Sequence, residues 1–182
     1  EFDQAFMLRD AAENNVLFSP AGGLNYIFDP TTAAWTSTDP IAATTALVTR
    51  AYVNGRTFVA YAGDNIYEYD GVNFLPVTIT YPPGVVAADI MGVGASNNYL
   101  IIFTDITVYW SSLVDPTDFT PSNTTGAGYA TPQDVKGQII SVQGVAGGYI
   151  IWTLVNAVAA QYTNNVRAPF AFKEIAGAGG II

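Results

Sequence analysis

Asp115 and Asp118 stand three positions apart in the run Val108–Ser122, VYWSSLVDPTDFTPS. Two neighbouring carboxylates are the smallest unit that could do acid–base work on a sugar or hold a hard cation such as calcium. Asp64, Glu68 and Asp70, in GDNIYEYDG, form a second acidic group. Both groups also have a plainer account. Asp before Pro and Asp before Phe start turns, their side chains bonding nearby backbone amides. No glycine-spaced run of further oxygen ligands follows either group. Asp64 and Asp70 sit at turns beside Gly63 and Gly71, and Glu68 is expected on the solvent face of a strand between Tyr67 and Tyr69.

The sequence contains neither His nor Cys. A Ser-His-Asp triad, a His-ligated zinc site and a Cys nucleophile are therefore excluded within it. A metal-dependent enzyme would have to rest on Asp64, Asp70, Asp115 and Asp118 alone, the weakest of the functional readings. Gly126-Ala127-Gly128 and the 177–180 GAGG run lack the strand-to-helix setting of a phosphate loop, and the first lacks the Lys-Ser/Thr that would follow it. Asn123-Thr124-Thr125 matches a glycosylation sequon, which has meaning only in a secreted eukaryotic protein. Three Trp and eleven Tyr could make sugar or base platforms. Tyr99, Trp110, Trp152 and Tyr162 fall inside strand segments, where aromatics fill the space between sheets.

The elements that must position these residues are strands. Asn14-Asn15, Asn54-Gly55, Asn97-Asn98 and Gly147-Gly148 each open on apolar, aromatic-rich runs: VLFSP then LNYIFDP, RTFVAY then IYEYDG, YLIIF then ITVYW, and YIIWT then AVAAQYTNN. Such turns accept positive φ and join the arms of hairpins. Their starts at 14, 54, 97 and 147 are 40, 43 and 50 residues apart, a spacing typical of propeller blades. Further strands are expected before the hairpins, at 46–52, 86–93 and 138–143, and after them, at 74–80 and 169–175.

The expected fold is all-β: a propeller-like array of about four antiparallel blades, at approximately 16–45, 46–84, 85–122 and 135–176, in one domain that could be part of a larger propeller. A β-sandwich is the alternative. Residues 1–15 read as a short helix or the end of a strand. Asp29–Thr45 and Ser122–Thr131, rich in Thr, Ala and Gly, read as links, and DPTDFTPS reads as a loop inserted into the third blade. The opening Glu1-Phe2-Asp3 and the closing Gly180-Ile181-Ile182 suggest a processed chain or a piece of a longer one, and no signal peptide is visible.

Half of the residues are apolar and only 12% are charged, 15 acidic against 6 basic, for a net charge of −9. The six cations are scattered singly, which argues against a surface that grips nucleic acid. An acidic wall would instead let DNA pass without sticking. No stretch approaches the roughly 18 apolar residues of a membrane helix.

The order of an aromatic strand, SSLVDPTDFTPS, a TGAG turn, KGQIISVQ, a hairpin and RAPFAFKEI resembles virion proteins of tailed bacteriophages. It is similar to the β-propeller proteins near the head-to-tail junction, the tail tubular, nozzle or packaged-DNA stabilisation type. Trp110, Asp115, Pro116, Asp118, Phe119, Pro121, Lys136, Gly137, Arg167, Pro169, Phe170, Phe172 and Glu174 carry the resemblance, which covers about 99–180. It implies a structural protein without catalysis, cofactor or metal, held in a homo-oligomeric ring beside connector, adaptor or tail proteins. The implied place is the virion, assembled in the bacterial host cytoplasm, with DNA passing through unbound. Asp115, Pro116, Asp118, Phe119 and Pro121 would then form an interface loop that reaches a neighbouring subunit. A carbohydrate-binding β domain for the host surface is the alternative.

Overall fold

A computed structural model describes residues 5–9, 15–21, 24–40 and 47–180, apart from the side chains of 38–40. Sixteen strands are found among them, grouped as four antiparallel meanders of four. The first sheet is β1 (Phe6–Arg9), β2 (Asn15–Ala21), β3 (Leu24–Asp29) and β4 (Ala34–Pro40). The second is β5 (Val48–Val53), β6 (Arg56–Tyr61), β7 (Ile66–Tyr69) and β8 (Phe74–Pro76). The third is β9 (Gly92–Ser96), β10 (Tyr99–Phe103), β11 (Val108–Trp110) and β12 (Gly128–Ala130), and the fourth is β13 (Ile139–Val145), β14 (Gly148–Thr153), β15 (Ala157–Tyr162) and β16 (Phe170–Glu174). Within every sheet the strands pair in chain order. The fold is all-β and propeller-like, with four antiparallel blades.

The turns follow from their residues. Asn54 and Gly55 adopt φ of 51° and 77°, and Asn97 and Asn98 adopt 51° and 65°, the paired positive values of a primed hairpin turn. These bring Val53 opposite Arg56 and Ser96 opposite Tyr99. Alternation along the strands then sends side chains to opposite faces.

Three apolar seams hold the four sheets together. Leu8 and Phe18 of the first sheet meet Val48, Val59, Tyr61 and Phe74 of the second. Phe58, Ala60 and Ile66 of the second meet Val93, Leu100 and Ile102 of the third. Tyr99, Ile101, Phe103 and Trp110 of the third meet Tyr149, Ile151, Val158 and Phe170 of the fourth. β6 and β10 therefore serve two seams each, which is why β10 is buried at all five positions.

The first strands of the last three sheets, β5, β9 and β13, lie side by side, with β9 between the other two. Glycine permits the approach of β9 to β13. A Cβ on Gly144 would lie 2.3 Å from the Ala95 carbonyl oxygen, and one on Gly94 would lie 2.8 Å from that of Val142.

Several elements differ from the sequence reading. Ala34–Pro40 and Gly128–Ala130, read as parts of links, are the strands β4 and β12. Both are the last strand of their sheet, where the ladder comes from one partner and little apolar area is needed. Ala87–Asp89, placed in a strand, is a 3-10 turn, because the Asp89 carboxylate accepts the Val86 amide at 2.9 Å and closes the backbone on itself. In the stretch 1–15, Phe6–Arg9 is strand, paired with β2, while residues 1–4 and 10–14 lie outside the described residues.

Replacing Gly144 by Ala should push β13 off β9 and cost about 1–3 kcal/mol, the usual range for overpacking. Gly179→Ala, where a Cβ meets nothing within 4 Å, is the control. Equal denaturation midpoints for the two variants would show that β13 and β9 do not approach in this way.

Candidate functional site

The loop between β11 and β12 contains Asp115, Pro116, Asp118, Phe119 and Pro121, the five residues read as an interface loop. Its course is set by local bonds. Asp115 accepts the Thr117 amide at 2.9 Å and the Thr117 hydroxyl at 2.7 Å, and Asp118 accepts the Thr120 amide at 2.9 Å. Both carboxylates thus act as turn formers, with partners inside the loop. The Thr117 amide holds the Asp115 carboxyl below the usual range, helped by the Thr117 hydroxyl and the field of Arg56.

Beyond its turns the loop is tied to the second sheet's connection. The Thr80 amide donates to the Thr117 carbonyl and the Phe119 amide to the Thr80 carbonyl, both at 2.9 Å, forming a parallel bridge between Thr80 and Asp118. The Ser112 amide donates to the Asp118 carbonyl at 2.7 Å. Held this way, Phe119 is fully buried in the seam between the second and third sheets, beside Val77, Ile79 and Tyr81. The Phe119 ring thus fills a gap in this chain's own core. Pro116 is also buried, whereas Asp115 and Pro121 are exposed.

The acidic group of the second sheet is dispersed among local partners. Glu68 pairs with Arg56 across β6 and β7, Nε to Oε1 at 2.8 Å and a terminal guanidinium nitrogen to Oε2 at 2.6 Å. The guanidinium also lies 5.0 Å over the Phe58 ring. Asp70 accepts the amides of Val72 and Asn73, and Asp64 accepts the Tyr67 hydroxyl at 3.2 Å. Among the described residues, no group of three His, Cys, Asp or Glu is placed to hold a metal ion.

The later residues meet in the seam between the third and fourth sheets. Phe170 is its hub, with ring centroids 4.8 Å from Tyr149, 5.4 Å from Tyr99 and 5.5 Å from Trp110, each near edge-on. Phe172 stacks at the margin, 6.4 Å from Trp110. The Trp110 indole N–H donates to the Gly126 carbonyl at 2.8 Å, which fixes the TGAG turn over the seam. Gly126, at φ 80°, has no room for a side chain, since a Cβ would meet the Tyr99 hydroxyl at 2.6 Å. Among the described residues the Tyr99 and Tyr149 hydroxyls are buried without a partner, and burial pushes the Tyr149 phenol well up. Trp110, Pro121 and Arg167 also line a surface cleft of about 340 Å³ with Tyr129.

At the base of the fourth sheet, Lys136 Nζ bonds both Glu174 carboxylate oxygens, at 2.8 and 2.9 Å. The buried Asn156 donates to Glu174 Oε1 at 3.0 Å and to the Asp134 carbonyl at 2.7 Å. The Thr153 hydroxyl and Asn156 complete this knot, which the sequence reading did not pick out. The signal available was the T-x-x-N spacing of a side-chain-closed turn. The Lys136 ammonium, followed by the Asn156 amide, holds the Glu174 carboxyl below its ordinary range.

No protein-family model matches this chain, and no curated protein sequence matches it. The site is therefore read from its own geometry.

Two outcomes follow. Phe119→Ala should destabilise the chain by about 3–5 kcal/mol, as expected for a buried aromatic ring; a denaturation midpoint equal to the parent's would place the ring outside the core. Asp115 and Glu174 both have lowered folded-state pKa values, so their contribution is present above the unfolded pKa and lost as pH falls through the folded one. Unfolding by urea across the acid range should thus show a shallower loss of stability in an Asp115→Asn, Glu174→Gln chain than in the parent. Parallel curves would rule out these two groups as the source.

Proposed function

We propose that the chain is a structural protein of a tailed-bacteriophage virion, part of the tail or head-to-tail connector ring through which DNA passes, without catalytic activity. One observation carries the reading. The residues that support the phage resemblance are spent on architecture: Phe119 in the second seam, Trp110, Phe170 and Phe172 in the third, and Lys136 and Glu174 in the bond network bracing the fourth sheet. A motif kept for catalysis would instead bring its polar groups to one open site.

The surface chemistry supports it. Few charges, a net charge of −9 and exposed Val114, Tyr129, Leu154 and Val155 suit contact with other proteins and a wall that repels DNA. In this reading the partners are other virion proteins and further copies of the chain.

The alternative, a carbohydrate-binding domain for host-surface recognition, requires exposed aromatics that converge. Trp35, Trp110 and Trp152 lie on the first, third and fourth sheets, and Trp110 is 7% exposed with its N–H engaged.

Purified particles of the phage encoding this chain should contain it in fixed stoichiometry, and an image reconstruction should place it around the DNA path. Its absence from the particles would sink the structural reading. A glycan array on which binding appears and is lost on changing Trp35, Trp110 or Trp152 to Ala would favour the carbohydrate reading instead.

A further inference from the structure

The sheets end in unlike turns. At one end the hairpins close over Asn54-Gly55 and Asn97-Asn98, residues that suit both water and positive φ. At the other end Ile106 belongs to the β10–β11 turn, and Leu154 and Val155 to the β14–β15 turn, each more than half exposed. Turns in water are usually built from Gly, Pro, Asn, Asp or Ser, and aliphatic side chains gain nothing there. Val86, exposed to the same degree, precedes the 3-10 turn at Ala87–Asp89. These residues belong to one stretch of surface. The Ile139 amide donates to the Asp105 carbonyl at 2.7 Å and the Leu154 amide to the Gln138 carbonyl at 3.0 Å, which sets the two turns side by side. The Met91 amide donates to the Phe103 carbonyl at 2.8 Å, which brings the 3-10 turn beside them. Exposed apolar side chains that cluster mark a contact surface, whereas single scattered ones do not.

Charge selects the occupant. A cleft of about 500 Å³ opens between the 84–91 connection and the β10–β11 turn, with Asp89 and Asp105 in its wall beside Val85 and Met91. Both carboxylates are exposed, and their partners are neutral: Asp89 accepts the Val86 amide and Asp105 the Gln138 side-chain amide at 3.1 Å. Among the described residues no Lys or Arg lines the cleft. Lys136, beside the β14–β15 turn, is already held by both oxygens of Glu174. Two carboxylates without a cation, set among exposed aliphatic side chains, complement an ammonium or guanidinium group carried on an apolar segment. A second copy of this chain is ill suited to supply it. Its Arg9 and Arg50 lie over the Tyr52 and Phe6 rings, at 5.4 and 5.2 Å, and Arg56 and Lys136 have carboxylate partners. That leaves Arg167 and Lys173 in a molecule of net charge −9. We propose that this end of the sheets docks a different protein, through a segment that seats a Lys or Arg side chain in the cleft of Asp89 and Asp105 and lays apolar side chains on Ile106, Leu154 and Val155. The inference deepens the structural reading and rests on it, naming the chemistry of one virion partner.

The probe is a labelled octapeptide of alternating Leu and Lys, with one of alternating Leu and Glu as its counterpart. Fluorescence anisotropy should show the first binding the chain and the second not. Asp89→Asn with Asp105→Asn keeps the acceptor oxygens and should weaken binding several-fold. Asp70→Asn with Asp115→Asn removes as much charge elsewhere and should leave binding unchanged. Ile106→Ser with Leu154→Ser should also weaken it several-fold while circular dichroism remains that of the parent, since both side chains are exposed. If that chain unfolds, Ile106→Ser alone serves in its place. Equal loss in the two aspartate pairs would reduce the effect to net charge and overturn the site, as would no binding of the Leu-Lys peptide. The chain has no cysteine, so Ile106→Cys introduces a single thiol. A maleimide–diazirine cross-linker on that thiol should capture, in particles, a segment of another protein that contains Lys or Arg. Capture of a second copy, or of nothing, in particles that contain the chain would remove this docking surface and leave the virion reading standing. The expected peptide pattern with the chain absent from particles would do the reverse.

Discussion

A four-stranded sheet whose second strand is apolar on both faces cannot stand alone in water, and this constraint organises the molecule. β6 and β10 are stable only as the filling between two neighbours. Every other device serves that sandwiching. Primed turns keep the meanders short, glycines at 94 and 144 let β9 and β13 approach, and single aromatic rings fill what the aliphatic side chains leave. Among the described residues the three apolar seams join sheets that are neighbours in sequence, so stability accumulates seam by seam, as in other repeat architectures.

The seams are not equivalent. The first is closed by Phe18 and Phe74, with centroids 4.9 Å apart, together with the hydrogen bond from the Tyr61 hydroxyl to Asn25. The third depends on ring packing around Phe170 and tolerates two buried phenols without partners among the described residues. The second has a feature of its own, a loop from the third sheet laid back across the second and pinned at Thr80. On the surface side, Arg56 is paired with Glu68 across β6 and β7 and lies in the field of Asp115. An ion pair this exposed contributes little energy by itself.

Much of this architecture was legible in the sequence, and the gaps have physical causes. Asn54-Gly55 and Asn97-Asn98 announced their hairpins because the turn conformation demands residues that accept positive φ. β10 was legible because two-sided burial leaves an unbroken apolar run, YLIIF. β4 and β12 were not, since an outermost strand needs few apolar residues and its order comes from one neighbour's ladder. The turn-forming roles of Asp115, Asp118, Asp64 and Asp70 follow from local chemistry that sequence displays. The inward course of Phe119 depends on the bridge to Thr80, a long-range pairing that no local pattern encodes.

That bridge also bears on the order in which the chain becomes native. The hairpins β5–β6, β9–β10 and β13–β14 close over two-residue turns and need no distant partner, so they can form while later residues are still being added. The strap from the third sheet can be laid down only after Thr80 and the third hairpin are both in place, because it joins segments whose separation in the chain spans most of a repeat. It acts as a latch set after the parts it holds, so the second sheet and the hairpin of the third are still free to separate until Phe119 arrives.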